Sequence, residues 1–355
     1  MKLTRLIAAA LAAACIFTLT SCKQEESQIT ANDYPVHVAD TVVDHRPRKV
    51  VSLAPAITDT LFQLQMAGRV VAVSDYCDLP AQPGDPDYYN YPRAGTQQLP
   101  DIDAIKKLGA DLVLMTAQPT DSVALELQQA NIDFVVIAPA ADLDGVRRNY
   151  VDLFRLLYGE ETGASMAEQA LVPFDHKLGE IRTCLDEAAG SEPSTVYLAG
   201  ELLQMATGDS FEGYLLDFLG TRSWGTDYTG YTYPKEKEVE LNPDVIFYNG
   251  MLSREAIAGS ACYKTTNAGK AGAIYEISPE NLERQSPDLL DTLWTMGTLL
   301  YPEAFVHEEP GQPWESSAAS MGYLPSGESE PDEAPEQPDD AAPETEESSS
   351  AGSEA

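Results

Sequence analysis

The chain is short of positive charge. Among its 355 residues, 22 Lys or Arg stand against 57 Asp or Glu, a net charge of −35. That deficit argues against nucleic acid or an anionic membrane surface as a partner, because both repel a polyanion. The imbalance is uneven. From Glu308 to the end there are fourteen acids and no base, which leaves 43 acids against 22 bases elsewhere. Histidine is scarce too, with only His37, His45, His176 and His307. A zinc or manganese receptor would want several such ligands converging with carboxylates. The chain has no G-x-S-x-G elbow, no G-x-G-x-x-G turn and no G-x-x-x-x-G-K-[ST] loop. Neither nucleotide binding nor nucleophile-elbow hydrolysis therefore has a motif to rest on, and we expect no enzyme.

Long apolar runs are missing as well. The longest, Leu6–Leu19, is too short for a membrane span. It follows Lys2 and Arg5, the order of an export signal. The run ends in Leu19-Thr20-Ser21-Cys22, which resembles the lipobox of bacterial lipoproteins. That resemblance implies lipid attachment at Cys22, and a chain anchored in the bacterial envelope facing the periplasm or the cell surface. Cys15 leaves with the signal. Cys77, Cys184 and Cys262 remain, an odd number that cannot pair completely.

What the chain has is alternation of strand-like and helix-like stretches. Val50–Leu53, Arg69–Val73, Asp111–Met115 and Phe134–Ile137 read as strands, with helices at Pro55–Gly68, Ile102–Leu108 and Ser122–Ala130. The pattern resumes with strands at Thr195–Ala199 and Val245–Tyr248 and helices at Phe211–Leu219 and Leu289–Leu300. Such alternation implies mostly parallel sheets covered on both faces. Between the two halves, Gly163–Ala189 carries Met166, Ala170, Phe174, Leu178, Ile181 and Leu185 along one helical stripe. Lys177 and the acids fall on other faces, and Pro173 should kink the helix because it has no amide for the Gln169 carbonyl.

The expected fold class is α/β, with two Rossmann-like lobes joined by one long backbone helix and a disordered acidic tail. The expected boundaries are a signal at 1–22, a tether at 23–47, a first lobe at 48–160, a connecting helix at 161–190, a second lobe at 191–306 and the tail at 307–355. The halves also match internally. Asp103 lies eight residues before Asp111, and Glu236 eight before Asp244, each of the later acids opening a strand. Two lobes built alike would hold Asp103 and Glu236 at equivalent places.

The segments Val51-Ser52-Leu53-Ala54-Pro55-Ala56-Ile57-Thr58-Asp59-Thr60-Leu61 and Val71-Ala72-Val73-Ser74-Asp75-Tyr76-Cys77-Asp78-Leu79-Pro80 resemble the substrate-binding proteins of bacterial importers for cobalamin and iron chelates. The second segment resembles the vitamin B12 branch most. The resemblance covers roughly residues 35–305 and implies a small ligand held between the lobes, an ABC permease with its ATPase as partner, a monomer, and no cofactor of its own. In that branch aromatic faces meet the corrin ring. Tyr76 matches one of them; Gln97 and Thr116 stand where two Trp fall, and the third lies near Gly230, amid Trp224, Tyr228, Tyr231 and Tyr233. The resemblance further implies that Asp103 and Glu236 dock on the permease. Aromatic faces suit a broad apolar disc with a polar rim, and Tyr88-Tyr89-Asn90-Tyr91 adds a second aromatic cluster in the first lobe. Arg93 and Arg284 would instead suit an anionic siderophore. A haem-binding receptor, or a surface-binding or adhesion lipoprotein without a transport role, are the alternatives.

Overall fold

The computed structural model describes residues 33–77 and 91–306. The signal with Cys22, the aromatic residues Tyr88 and Tyr89, and the acidic tail lie outside the described residues. Among the described residues no helix is long and apolar enough to cross a membrane.

The chain enters the first lobe by an antiparallel hairpin of β1 (Val36–Val38) and β2 (Thr41–Val43). Strand alternation drives Val36, Val38 and Val43 into the core. The hairpin lies inside the stretch read from sequence as a tether, since three-residue runs give almost no periodic signal. Next come β3 (Val50–Ser52), α1 (Pro55–Gln63), β4 (Val70–Val73), α2 (Ile102–Leu108), β5 (Leu112–Met115), α3 (Asp121–Gln129) and β6 (Asp133–Val136). β3, β4, β5 and β6 form an all-parallel sheet in the order β4-β3-β5-β6. The continuous burial of the two inner strands, β3 and β5, fits a sheet covered on both faces.

α1 ends earlier than the glycine at 68 suggested. The amide of Met66 donates to the Leu61 carbonyl at 2.6 Å and that of Gln65 to Phe62 at 3.0 Å. This is a Schellman closure, with Gln65 rather than glycine taking the left-handed conformation at φ +57°. Gly68 sits beyond it in a short 3₁₀ turn, Ala67–Arg69.

α4 (Leu143–Tyr158) buries Val146, Tyr150, Leu153, Phe154 and Leu157 along one face. The connecting helix follows as two segments, α5 (Glu160–Ala170) and α6 (Val172–Glu187), interrupted at Leu171. Pro173 is near the start of α6, where a missing amide leaves no carbonyl in mid-helix unserved. The expected kink is thus a one-residue break. Gly163 packs α5 against α4 so closely that a methyl group there would overlap the Phe154 carbonyl. Phe174, Leu178 and Ile181 are buried as the stripe requires, with Met166, Ala170 and Leu185 half-buried beside them. Lys177 departs from the sequence reading. It is 1% exposed and forms an ion pair with Asp291. Standing three residues after Phe174 and one before Leu178, it borders the stripe closely enough for neighbouring helices to cover it.

The second lobe contains β7 (Ser194–Leu198), α7 (Phe211–Phe218), β8 (Arg222–Ser223), β9 (Val245–Tyr248), α8 (Arg254–Gly259), α9 (Asn267–Ala271), β10 (Ile274–Glu276), α10 (Pro279–Glu283) and α11 (Leu289–Leu300). Its sheet is again all-parallel, in the order β10-β9-β7-β8. Each lobe therefore places its first strand between its second and third, and its fourth at the outer edge. The internal repeat seen in sequence is a repeat of topology. It extends to hydrogen bonds. Asp111 accepts from the Lys49 amide at 3.0 Å while its own amide donates to the Lys49 carbonyl at 3.0 Å. Asp244 accepts from the Ser194 amide at 2.9 Å and donates back to the Ser194 carbonyl at 2.8 Å. In both lobes this aspartate staples the start of the third strand to the first. Those bonds hold the Asp244 carboxyl below its usual range, the Asn267 contact foremost and the Ser194 amide next.

Candidate binding cleft between the lobes

In a parallel sheet of this order, the chain leaves the first strand toward one side and the third toward the other. The carboxyl ends of those strands border a natural crevice. In the first lobe the crevice lies between the ends of β3 and β5, and a pocket opens there. It is lined by Ala56 and Thr60 of α1, by Thr116 and Ile137 just past β5 and β6, by Tyr150, and by Glu283 from the second lobe.

Tyr76 follows β4 and is 69% exposed. Its loop is pinned at several points. The Asp75 amide donates to the Gly95 carbonyl at 2.8 Å, and Arg93 Nη1 donates to the carbonyls of Ser74 at 2.8 Å and Cys77 at 2.6 Å. Arg93 is thus a brace for the loop that presents Tyr76. Gln97 also braces. Its Oε1 accepts from the amide and hydroxyl of Thr116 at 2.7 and 3.0 Å and from the Ala117 amide at 3.2 Å. Three donors occupy the oxygen, so what Gln97 can offer a ligand is its amide NH₂.

Topologically, β8 is the second lobe's counterpart of β4, and the loop after it carries Trp224, Tyr228 and Tyr231. Trp224 is half-buried, and its Nε1 has no partner among the described residues. Tyr228 meets buried Tyr233 edge-on at 5.0 Å and accepts a bond from Lys237 Nζ at 2.8 Å. Tyr231 adopts φ +56°, a conformation unfavourable for a side chain of its size. It is held by its amide donating to Thr207 Oγ1 at 3.1 Å and its hydroxyl donating to Glu212 Oε2 at 2.8 Å. Strain of this kind costs on the order of 1 kcal/mol and tends to persist at ligand sites. Burial, then the bond to Glu212, pushes the Tyr231 phenol well up. Gly225 makes the loop possible, because any side chain there would collide with the Ala206 carbonyl.

A bracket from the second lobe spans the cleft. Arg284 Nη1 lies 2.7 Å from Asp59 Oδ2 of α1, and Arg284 Nη2 lies 3.2 Å from Glu280. Burial pushes the Asp59 carboxyl up, opposed by the hydrogen bond from Arg284. Gln285 exchanges two bonds with the Ala140 backbone at 2.7 and 2.8 Å, and its carbonyl accepts from Tyr150 Oη at 2.6 Å. The Asp288 amide donates to Gln63 Oε1 at 3.2 Å. Sequence reasoning offered Arg284 to an anionic ligand; the structure gives it two carboxylate partners instead. The bracket itself was invisible in sequence, since its pairs are 135 to 225 positions apart.

Asp103, in the first turn of α2, and Glu236, in the 3₁₀ segment Lys235–Glu240, are both exposed. Each precedes the stapling aspartate of its lobe, so the two acids occupy matched places in the topology. Among the described residues one trio could share a metal ion, Asp44, His45 and Asp133. It sits at the amino end of β6, the end of the sheet away from the crevice.

Two α/β lobes of like topology, with a cleft at their strand ends and a helical connection, define a two-lobe solute-binding protein. The chain belongs to the periplasmic binding protein family, which matches residues 50–290. These are solute receptors without catalytic activity. It is 22% identical over 271 residues to an uncharacterized ABC transporter substrate-binding lipoprotein of Bacillus subtilis, spanning 75% of this chain and 84% of that one. It is also 22% identical over 300 residues to a cobalamin-binding protein of Halobacterium salinarum, covering 81% and 75% of the two chains. The structure of a periplasmic heme-binding protein of Vibrio cholerae has the same fold, with a TM-score of 0.60 at 18% identity over 72% of this chain and 99% of that one.

Proposed function

We propose that this protein is a lipid-anchored receptor that captures cobalamin, or a related corrinoid, between its lobes and delivers it to an ABC importer. The observation that carries the reading is a symmetry of aromatics. Tyr76 follows the second strand of one sheet, and Trp224, Tyr228 and Tyr231 follow the second strand of the other. Topologically equivalent loops are the places from which side chains address a ligand from two sides. Stacking on a flat macrocycle is what such side chains do well. The sequence relationship to a cobalamin-binding protein supports this choice of ligand. The relationship to a substrate-binding lipoprotein supports both the importer and the anchor at Cys22.

Gln97 and Thr116 favour a second reading, a ferric siderophore or haem receptor. Both are polar where the vitamin B12 branch places aromatic faces, and the pocket beside Thr116 leaves the crevice floor open.

Permease and ATPase are the partners, approached through Asp103 and Glu236, and the receptor works as a monomer. The test is a pair of variants. Tyr76→Ala and Tyr228→Ala each remove a ring face from opposite sides of the site, worth on the order of 1 kcal/mol or more. Each should weaken cyanocobalamin binding about fivefold to tenfold, read by quenching of intrinsic fluorescence. Melting temperature should change little for Tyr76→Ala, since that side chain is largely exposed. Parental affinity in both variants would place the site elsewhere.

A further inference from the structure

We propose that Glu212 is the positioning residue of the second-lobe aromatic loop: by holding the Tyr231 hydroxyl, it sets that ring in place before a ligand arrives. Tyr231 then offers the ligand a ring face and not a donor. The inference rests on reading the loop as one wall of the ligand site.

The loop runs against the turn that opens α7. Thr207 is fully buried, and its hydroxyl donates to Asp209 Oδ1 at 2.6 Å. The same oxygen accepts from the Tyr231 amide at 3.1 Å. Asp209 accepts from the Gly230 amide, which lies 3.1 Å from each carboxylate oxygen. On the other side, the Met205 amide donates to the Tyr231 carbonyl at 3.2 Å. These bonds enforce an unusual shape. Gly230 and Tyr231 take consecutive left-handed conformations, at φ +66° and +56°. Glycine does so freely, whereas a tyrosine does so where its surroundings over-determine it.

Backbone bonds fix the Tyr231 main chain but leave its side-chain torsions free. Glu212 removes that freedom. It stands in the first turn of α7, is 5% exposed, and its Oε2 accepts from Tyr231 Oη at 2.8 Å. A carboxylate so buried needs donors, and the start of a helix favours its charge. A bond to an ionised acceptor is stronger than a neutral one, and it is directional. With main chain and hydroxyl both anchored, the ring keeps one orientation. Tyr231 is still 37% exposed, so part of the ring remains free for contact. Such a ring need not be ordered by the ligand, which is how preorganisation raises affinity.

A second tyrosine of the loop is treated alike. Tyr228 Oη accepts from Lys237 Nζ at 2.8 Å, and its ring meets Tyr233 edge-on. Both phenols therefore have protein partners, and what they share toward a ligand is aromatic surface.

The test compares Tyr231→Phe, Glu212→Ala and Glu212→Gln in the full chain. The first deletes the hydroxyl and keeps the ring, the second deletes the acceptor, and the third keeps an oxygen able to accept. In ligand-free protein, amide exchange at residues 230–232, measured against β7, should quicken about tenfold in the first two. It should return toward the parental rate in Glu212→Gln. Cyanocobalamin binding should weaken about fivefold to tenfold in Tyr231→Phe and in Glu212→Ala. The two changes together should be no worse than either alone, because both break one bond. Glu212→Gln should recover most of the affinity lost in Glu212→Ala. Unchanged exchange, or additive losses in the pair, would overturn the proposal. So would a loss in Tyr231→Phe without one in Glu212→Ala, which would make the hydroxyl itself a ligand contact. Parental failure to bind cyanocobalamin, haemin and a ferric tris-catecholate would overturn the ligand-site reading, and this inference with it. The exchange rates, read without ligand, tell that case from a bond that does not hold the loop.

Discussion

Replacing Asp291 with Ala should destabilise the protein by about 3 kcal/mol, among the largest effects expected of any single change outside the glycines. Lys177 is the reason. Its side chain reaches inward from α6 and is 1% exposed, and its charge is met by Asp291 on α11. Taking away the acid removes the countercharge of an ammonium group that water reaches poorly, which costs more than the pair contributes. Asp291 itself is 36% exposed along its side chain, so the estimate sits at the low end for buried pairs. The companion change Lys177→Met should be nearly neutral, because it removes the charge that needs a partner and retains most of the buried volume. Urea unfolding of the two variants checks this. Comparable losses in both would mean that the pair acts through packing and not through charge.

The second large effect belongs to transport. Asp103→Ala with Glu236→Ala should leave cyanocobalamin binding in solution unchanged and cut uptake through the cognate importer by about tenfold or more. Both acids are exposed and both precede a stapling aspartate; the docking role proposed for them gives the permease one anionic contact per lobe. Charge-assisted contacts of this kind set orientation and association rate as well as affinity. Each single change should give a smaller defect, and added salt should weaken the parental association. Asp103 is one methylene shorter than glutamate, so its single variant should be the milder. Reconstituted transport indifferent to the double change would return both residues to ordinary solvated acids.

The elements that sequence located well are those with a strong periodic signal and a clear boundary. α2 opens at Ile102 because Asp101 caps it, accepting from the Ala104 amide, and Gly109 closes it in the left-handed region. Both cues are local. β9 and α11 were likewise bounded as observed. The hairpin β1–β2 escaped notice because its strands are three residues each. α4 was legible but unread. Its apolar positions recur at Val146, Tyr150, Leu153, Phe154 and Leu157, and Asp142 caps it. Arg147, Arg148 and Asn149 interrupt that stripe in the linear sequence while lying on its solvent side.

The candidate site divides the same way. Tyr76 and the Trp224–Tyr231 loop were named through the resemblance to the vitamin B12 branch, and the aromatic richness around Gly230 added to the second. The roles of Arg93 and Gln97 as loop braces could not be named, since all but one of their partners, the Thr116 hydroxyl, are backbone carbonyls and amides that carry no sequence identity.

One measurement addresses binding between the lobes most directly: hydrogen exchange followed by mass spectrometry, with and without saturating cyanocobalamin. A ligand held in the cleft should slow exchange together in residues 74–77 and 95–99 of the first lobe and 224–233 of the second. The hairpin at 36–43 and the amino end of β6 should be unaffected. Protection confined to one lobe, or appearing only outside these loops, would contradict it.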